Sequence, residues 1–177
     1  MTDKIYIKNK IIPDYIFEDL LFDLKEIEES EAEVAGGTQL VDKQVRSCVS
    51  KWLRYKEYPD ICKVLENSCS SIHMKHIPSE LICLELQYLK YGISDHFKAH
   101  SDVVNGKKPR RFSTVTMLSK TEDLEGGDLI IFDEDGNEIN TNIDVGETVV
   151  FYSSTLHQVT PITKGGREVL VGWIYDR

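Results

Sequence analysis

Hydrophobic positions along the chain follow two different periodicities, and the first of them is typical of a helix. In residues 14–31 apolar side chains recur every three or four positions, which is the spacing of one face of an amphipathic helix, and Asp14 after Pro13 is suited to cap its start. The same spacing returns in residues 57–74, with Pro59 near the beginning. The N-terminal part of the chain therefore predicts two helices that pack against a sheet.

From residue 81 onward the pattern changes to short runs rich in β-branched and aromatic residues, which favours strands. The predicted strands are 81–89, 95–102, 112–118, 128–133, 138–143, 147–153, 156–163 and 167–176. Many strands with short turns, preceded by helices, predict a mainly β (α+β) fold, a sandwich or jelly roll buttressed by helices. We expect a single domain over residues 1–177, in which residues 1–80 give helical support to a core at residues 81–177.

Composition narrows the class of protein. The formal net charge of −9 argues against a protein that wraps nucleic acid, because phosphate binding needs a positive surface. We see no signal peptide at the N-terminus and no apolar run long enough to span a bilayer. The 4 cysteines form no CxxC pair, which favours free thiols in a reducing compartment. We therefore expect a cytoplasmic protein with no membrane and no nucleic-acid partner.

Four residues carry the candidate chemistry. His100 and Asp102 stand two positions apart in a predicted strand, so both side chains point to the same side of the sheet. With His157 as a third ligand, they can hold three positions on one face of a ferrous ion and leave the others for an organic co-substrate and dioxygen. Arg167 supplies a planar, permanently charged group that suits a carboxylate. Together these residues predict an oxygenase.

The segments around these residues resemble a known family, the prolyl 4-hydroxylase-like dioxygenases. YGISDHFKAHSD at 91–102 is similar to their Y-G-x(4)-F-x-x-H-x-D segment, EGGDL at 125–129 to their E-G-G-[DE]-L turn, HQVTPITKGGR at 157–167 to their H-x-V-x-P-V-x-x-G-x-R segment, and GWI at 172–174 to their final strand. The resemblance runs in the correct order over roughly residues 81–177. Arg167 departs from the lysine of the animal and plant collagen-type enzymes and points toward the microbial branch.

What the resemblance implies is a double-stranded β-helix that binds Fe(II) and 2-oxoglutarate and reacts with O2, with ascorbate as an optional reductant. His100, Asp102 and His157 would be the iron ligands. Arg167 would pair with the far (C5) carboxylate of 2-oxoglutarate, and the family places a tyrosine hydroxyl, here that of Tyr91, against the same carboxylate. A core tyrosine with its hydroxyl satisfied elsewhere remains the alternative for Tyr91.

Other candidates rest on weaker patterns. Thr116, on the strand after the first two ligands, could reach the co-substrate carboxylate, although strand packing is an alternative. The basic run Lys107, Lys108, Arg110 and Arg111 could overhang the substrate entrance as a loop or could simply be solvated. For Trp173 we expect packing inside the barrel, with a substrate contact as the alternative.

The substrate stays open at this point. Peptidyl proline is the first hypothesis by analogy, and a free amino acid, another side chain or a small metabolite is nearly as well supported. A protein of another class, a non-catalytic jelly roll that holds a metal with the same ligands, is the main alternative. Arg167 separates the two hypotheses, because mere metal binding needs no anchor for a 2-oxo acid. The oligomeric state has no signature in the sequence.

Overall fold

The computed structural model describes residues 6–25, 30–31, 44–73, 80–103 and 108–177. The helices in these ranges are α1 (Asp14–Leu24) and α2 (Pro59–His73), with a 3₁₀ turn at Tyr55–Glu57. The strands are β1 (Tyr6–Asn9), β2 (Ser30–Glu31), β3 (Arg46–Ser47), β4 (Val49–Leu53), β5 (Leu81–Tyr91), β6 (His96–His100), β7 (Arg110–Lys120), β8 (Leu129–Phe132), β9 (Glu138–Asn140), β10 (Thr148–Tyr152), β11 (His157–Val159) and β12 (Arg167–Asp176).

The strands form two antiparallel sheets. In the described part of the chain the larger sheet has the order β1-β10-β7-β12-β5-β4-β2, and the smaller one has the order β3-β6-β11-β8-β9. From β5 to β12 the chain alternates between the two sheets, as in a jelly roll, except that β8 and β9 pair with each other in the smaller sheet. The predicted fold class, a double-stranded β-helix with helical support, is confirmed.

Both predicted helices are present, but the first ends at Leu24, and Ser30–Glu31, the last two residues of its predicted range, form strand β2. Helix α1 begins at Asp14, and Pro13 occupies the capping position without a side-chain hydrogen bond to the helix. The prediction of Asp14 as the cap is therefore wrong. Asp14 lies in the first turn instead, where a carboxylate interacts favourably with the helix dipole. No helix among the described residues has the length and apolar character needed to cross a bilayer.

Residues 1–80 contribute more than helices. Strand β1 pairs with β10, β4 pairs with β5, and β3 adds to the edge of the smaller sheet beside β6. The N-terminal part thus extends both sheets of the predicted core. The division into a helical support and a catalytic core stays a prediction.

Alternation along the central strands separates two hydrophobic layers. The helix-side layer lies between the larger sheet and the helices and includes Leu20, Leu65, Leu86, Phe112, Leu118 and Ile174. The site-side layer lies between the two sheets and includes Val115, Met117, Ile131, Phe151, Val169 and Trp173. Odd-numbered residues of β7 therefore face the space between the sheets, where the candidate site is found.

The turn at Gly126 and Gly127 packs closely against residues 157–167, the segment that joins His157 of β11 to Arg167 of β12. Gly126 has φ +79°, and a Cβ there would lie 2.1 Å from the carbonyl oxygen of Pro161. An isolated bridge between Glu125 and Lys164 continues this contact. Only glycine fits such a close approach in a left-handed conformation. The turn therefore holds the 157–167 segment against the smaller sheet.

Candidate active site

The three predicted ligands converge at one end of the space between the sheets. His100, the last residue of β6, lies directly opposite His157, the first residue of β11, in an antiparallel pair. Asp102 lies two residues beyond the end of β6, where its N–H donates to the Ser153 carbonyl at 2.8 Å. The predicted single extended segment thus ends at His100, and Asp102 is held by a backbone contact to the loop after β10.

The geometry of this group suits a metal ion. The Nε2 atom of His100 lies 3.6 Å from Oδ1 of Asp102, and the Nε2 atom of His157 lies 3.6 Å from Oδ2. The three ligand atoms lie within 4.8 Å of one another, and they form the one such cluster of histidine, cysteine and acidic side chains found among the described residues. Two imidazoles and one carboxylate on one side of an ion are the donor set of non-haem Fe(II) oxygenases. The residues present therefore fit Fe(II).

Both imidazoles are oriented by backbone carbonyls. Nδ1 of His100 lies 2.7 Å from the Lys98 carbonyl oxygen, and Nδ1 of His157 lies 2.9 Å from that of Thr155. Because a carbonyl oxygen can only accept, each ring donates its Nδ1–H, and each Nε2 keeps a lone pair directed at the cluster. This arrangement is the usual way in which a protein fixes a metal-binding tautomer.

Electrostatics favour the protonation states that a metal requires. Burial, followed by the neighbouring His157, lowers the pKa of His100 to about 4, so its ring is neutral at pH 7. Burial alone would raise the pKa of Asp102, but His157, a hydrogen bond from Ser113 and His100 together outweigh burial, and the pKa is lowered. At neutral pH the site thus presents a neutral nitrogen at His100 and an ionised carboxylate at Asp102.

Two serines support the carboxylate. The Ser113 hydroxyl donates to Oδ2 of Asp102 at 2.6 Å, and it lies 2.9 Å from the Ser153 hydroxyl. Both serines are fully buried. The sequence analysis missed them, because the hydroxyl residues of β7 look alike until the register shows which of them face the site.

Aromatic side chains line the cluster. Phe97 stacks on the His100 ring with centroids 3.5 Å apart, and Phe151 meets the His157 ring edge-on at 4.8 Å. Trp173 belongs to the site-side layer, as expected, and lies near Asp102, but its Nε1–H has no hydrogen-bond partner in the described structure. Arg110 stacks over its ring at 3.9 Å. Trp173 is therefore both a packing residue and part of the surroundings of the site.

Arg167 lies at the opposite end of the space between the sheets. It is the first residue of β12, pairs with Tyr91 and Lys120, and is only 2% exposed. Its Nε and Nη1 atoms have no hydrogen-bond partner in the described structure. A buried guanidinium with unused donors is costly unless an anion completes its hydrogen bonds. Arg167 therefore has two buried donors left over for an anion.

The ring of Tyr91 packs against the Arg167 guanidinium. The Arg167 Cζ atom is 5.0 Å from the Tyr91 ring centroid, and the phenol hydroxyl contacts the thiol of Cys48. Burial, followed by the Cys48 contact, raises the pKa of Tyr91 well above its ordinary value. The hydroxyl is thus neutral at physiological pH. Its contact with a co-substrate carboxylate stays a prediction.

The predicted role of Thr116 is wrong. Its hydroxyl lies 2.8 Å from that of Thr148. Its neighbours Val115 and Met117 belong to the site-side layer, so the alternation of β7 turns Thr116 toward the helices. The alternative for Thr116, packing within the sheet, agrees with the structure.

The basic run is largely part of a strand. Arg110 and Arg111 begin β7, and their guanidinium groups lie 2.6 Å from Glu85 and 3.1 Å from Asp176. Lys108 is exposed just before the strand, and Lys107 lies outside the described residues. The expected overhanging loop of free cations therefore does not include the two arginines. A contact of Lys108 with substrate stays a prediction.

Comparison with curated proteins gives hydroxylases of one type. The chain is 33% identical over 110 residues to a PKHD-type hydroxylase of Crocosphaera subtropica. This alignment covers 60% of this chain and 46% of the relative. The chain is also 40% identical over 92 residues to one of Alteromonas mediterranea, covering 48% of this chain and 40% of the relative. The chain thus spans less than half the length of these relatives.

Comparison with solved structures gives the same fold. A prolyl-4-hydroxylase of Pseudomonas putida has a TM-score of 0.76 at 22% identity, covering 98% of this chain and 93% of that one. A prolyl hydroxylase of Trichoplax adhaerens, solved with a peptide fragment of the hypoxia inducible factor oxygen degradation domain, has a TM-score of 0.73 at 15% identity, covering 99% of this chain and 84% of that one. At these identities the likeness establishes the architecture.

Family membership follows from the sequence profile of the 2OG-Fe(II) oxygenase superfamily, which matches residues 86–175, or 90 of the 177 residues. This span contains the three converging ligands and Arg167. The chain therefore belongs to the 2OG-Fe(II) oxygenase superfamily, as its motifs predicted, and Fe(II) and 2-oxoglutarate are the cofactor and the co-substrate of this family.

Proposed function

We propose that the chain is a dioxygenase that uses Fe(II) and 2-oxoglutarate to hydroxylate a C–H bond. His100, Asp102 and His157 would hold the iron, and Arg167 would bind the C5 carboxylate of 2-oxoglutarate. The observation that carries the proposal is the pair of unused N–H donors on the buried Arg167 guanidinium, behind a cluster that fits Fe(II). A protein that only stored a metal would have no need of this cation.

When bound, Fe(II) and 2-oxoglutarate supply the activation of dioxygen and the oxidising power for the reaction. The chain's own residues provide orientation. The carbonyl acceptors at Lys98 and Thr155 keep the Nε2 lone pairs of the two histidines toward the metal position. Ser113 holds one oxygen of Asp102, which leaves the other free to bind. These contacts prepare the donor set before the metal arrives.

Protection of the site comes from its aromatic neighbours. Phe97 and Phe151 cover the two imidazole rings, and Trp173 lies beside Asp102. Arg110 is fixed over Trp173 by Glu85, so the indole has little freedom to move. An apolar, rigid surrounding limits the access of bulk water, which strengthens the electrostatic interactions inside.

Peptidyl proline is the substrate we propose first. The solved structures that resemble this chain support it, since they include prolyl hydroxylases, one of which was solved with a peptide. A free amino acid, another side chain or a small metabolite is the alternative, with the same chemistry at the metal. We further propose that the reaction takes place in the cytoplasm, with ascorbate keeping the iron reduced.

The alternative from another class is a jelly-roll protein that holds a metal without catalysis. Anaerobic titration of Fe(II)-loaded protein with 2-oxoglutarate separates the two. The proposal requires a weak visible charge-transfer band that is absent in His100→Ala and retained in His96→Ala, a matched histidine of β6 outside the metal cluster. No band with wild-type protein would remove the proposal.

The substrate needs its own experiment. We would incubate the enzyme with Fe(II), 2-oxoglutarate, ascorbate and a library of proline-containing peptides and metabolites, and search by mass spectrometry for products that gain one oxygen atom. Succinate release, measured in the same samples, tests whether 2-oxoglutarate is consumed in the reaction. A hydroxylated metabolite with no hydroxylated peptide would overturn the proposal of peptidyl proline.

A further inference from the structure

Arg46 is a buried cation whose side chain bridges the two sheets. It lies on β3, at the edge of the smaller sheet, and is only 6% exposed. Its Nη2–H donates at 3.1 Å to the side-chain carbonyl oxygen of Gln87, a buried residue of β5 in the larger sheet. An arginine is rarely buried to this extent without specific partners. Its surroundings therefore indicate what it does.

The strand that carries Arg46 is short, and side-chain hydrogen bonds hold it in place. The Ser47 hydroxyl donates to Oδ1 of Asp95 at 2.5 Å, and Oδ2 of the same carboxylate accepts from the Gly92 N–H at 2.8 Å. The strand is thus tied to the turn between β5 and β6. In this position Arg46 pairs with Phe97 of β6 in the antiparallel register.

The guanidinium of Arg46 contacts the same ring that stacks on His100. Its Cζ atom lies 4.7 Å from the centroid of the Phe97 ring. The Phe97 and His100 ring centroids are 3.5 Å apart, with 23° between the ring planes. Because the imidazole already covers one face of Phe97 at van der Waals distance, the guanidinium has only the remaining side of the ring. Phe97 is therefore held between a predicted metal ligand and a cation that Gln87 fixes.

The charge of Arg46 on its own would work against a metal ion. The guanidinium lies close enough to His100 to lower the pKa of that ring, after the larger effects of burial and His157. The same repulsion acts on a divalent cation at the cluster. A cation in this place can raise metal affinity only through geometry, by limiting the movement of the side chain against which His100 packs.

We propose that Arg46 is a positioning residue of the metal centre, which holds Phe97 against the His100 ring. The Lys98 carbonyl fixes one nitrogen of this imidazole, and Phe97 fixes the plane of the ring. Both constraints keep Nε2 directed at the metal position. The inference rests on the proposed role of His100 as an iron ligand. It gives the N-terminal part of the chain a share in the metal centre.

Titration of the protein with Co(II) tests the proposal, because the visible bands of bound Co(II) report both its affinity and its coordination geometry. Arg46→Met should weaken Co(II) binding about tenfold, as expected for the loss of a side chain that supports a ligand, and should alter the bands. Arg46→Lys keeps the charge without the planar shape and should fall between Arg46→Met and wild type. Arg54→Met, which removes an exposed arginine paired with Glu57, should change neither affinity nor bands. Wild-type or tighter binding in Arg46→Met overturns the proposal, and Arg46→Lys decides by the same criterion if Arg46→Met does not fold.

A double-mutant cycle tests whether Arg46 acts through Phe97. Phe97→Leu should weaken Co(II) binding about as much as Arg46→Met, and the double variant should also lose only about tenfold, since both changes remove the same support. A loss of about 100-fold, the product of two independent effects, would overturn the proposal. Urea unfolding of the same variants separates a loss of affinity from a loss of stability. Absence of Co(II) bands in wild-type protein would instead contradict the proposed metal centre itself.

Discussion

The Ser113 hydroxyl donates a hydrogen bond of 2.6 Å to Oδ2 of Asp102, the carboxylate that faces both imidazoles. Ser113 is fully buried and lies on the central strand β7. The orientation of the carboxylate thus depends on a strand that supplies no ligand itself. This contact gives the first of four predictions.

Ser113→Ala should weaken metal binding by about 10- to 100-fold, the usual effect of removing a hydrogen-bond partner of a ligand. The free energy of unfolding should change far less than the affinity, since the substitution removes one atom from a packed strand. Titration with Fe(II) under anaerobic conditions measures the effect. Thr116→Val is the matched control, because it removes a hydroxyl from the other face of β7, where that hydroxyl bonds to Thr148. Equal metal affinities in Ser113→Ala and wild type would mean that Ser113 has no part in the site.

Arg167→Ala should weaken 2-oxoglutarate binding by roughly 100-fold, because the partner carboxylate would lose a buried charge-assisted pair. Iron binding should remain close to that of the wild type, since Arg167 lies at the far end of the barrel from the ligands. Arg167→Lys keeps the charge without the planar geometry and should fall between the two. The charge-transfer band, followed against 2-oxoglutarate concentration, reports the Kd. Parallel losses of iron and 2-oxoglutarate binding would instead make Arg167 a residue of the fold.

Alkaline pH should reduce the stability that Tyr175 provides. Burial, followed by its hydrogen bond to Glu85, raises the pKa of Tyr175 to about 12 from 10.0. Because the folded state holds this proton more tightly, the contribution is complete below pH 10 and is lost as the pH rises through about 12. The stability advantage of wild type over Tyr175→Phe in urea unfolding should therefore shrink between these values. A difference that stays constant with pH would contradict the assignment.

Gly172→Ala should destabilise the fold by about 1–3 kcal/mol through overpacking. A Cβ at Gly172 would lie 2.7 Å from the Thr114 hydroxyl oxygen and 2.8 Å from a Leu65 methyl carbon of α2. The clash lies on the helix side of the sheet, so 2-oxoglutarate binding should survive in the folded fraction. Gly92→Ala, where the nearest atom is 3.8 Å away, should cost little. Thermal or urea unfolding of both variants tests the contrast.

Much of the fold and the site could be predicted because the signals are local. The strand pattern, the two helices and the spacing of His100, Asp102, His157 and Arg167 all lie in the sequence itself. The structure brings the first three together and puts Arg167 at the other end of the same space. Family membership, fold class and cofactor class are confirmed, and the ligand roles stay predictions.

The remaining details depend on pairing between distant segments. Thr116 and Ser113 both lie in one β-branched run, and only the layers above and below β7 show that they face opposite ways. Arg110 looked like a loop cation because its partner, Glu85, is 25 residues away in the sequence. Trp173 fits a packing pattern equally well with or without Asp102 beside it. Each of these contacts is set by the register of β5, β7 and β12.

The hydroxyl residues on both faces of β7 have a consequence for how this strand finds its place. A slip of one residue would exchange Ser113 for Thr114 beside Asp102, and a hydroxyl would still be available there. It would also turn Phe112 and Leu118 into the space between the sheets and Val115 and Met117 toward the helices. The hydroxyls alone therefore cannot select the correct alignment. The unequal sizes of the apolar side chains do so, and the position of Ser113 beside Asp102 is therefore set by the packing on both faces of β7.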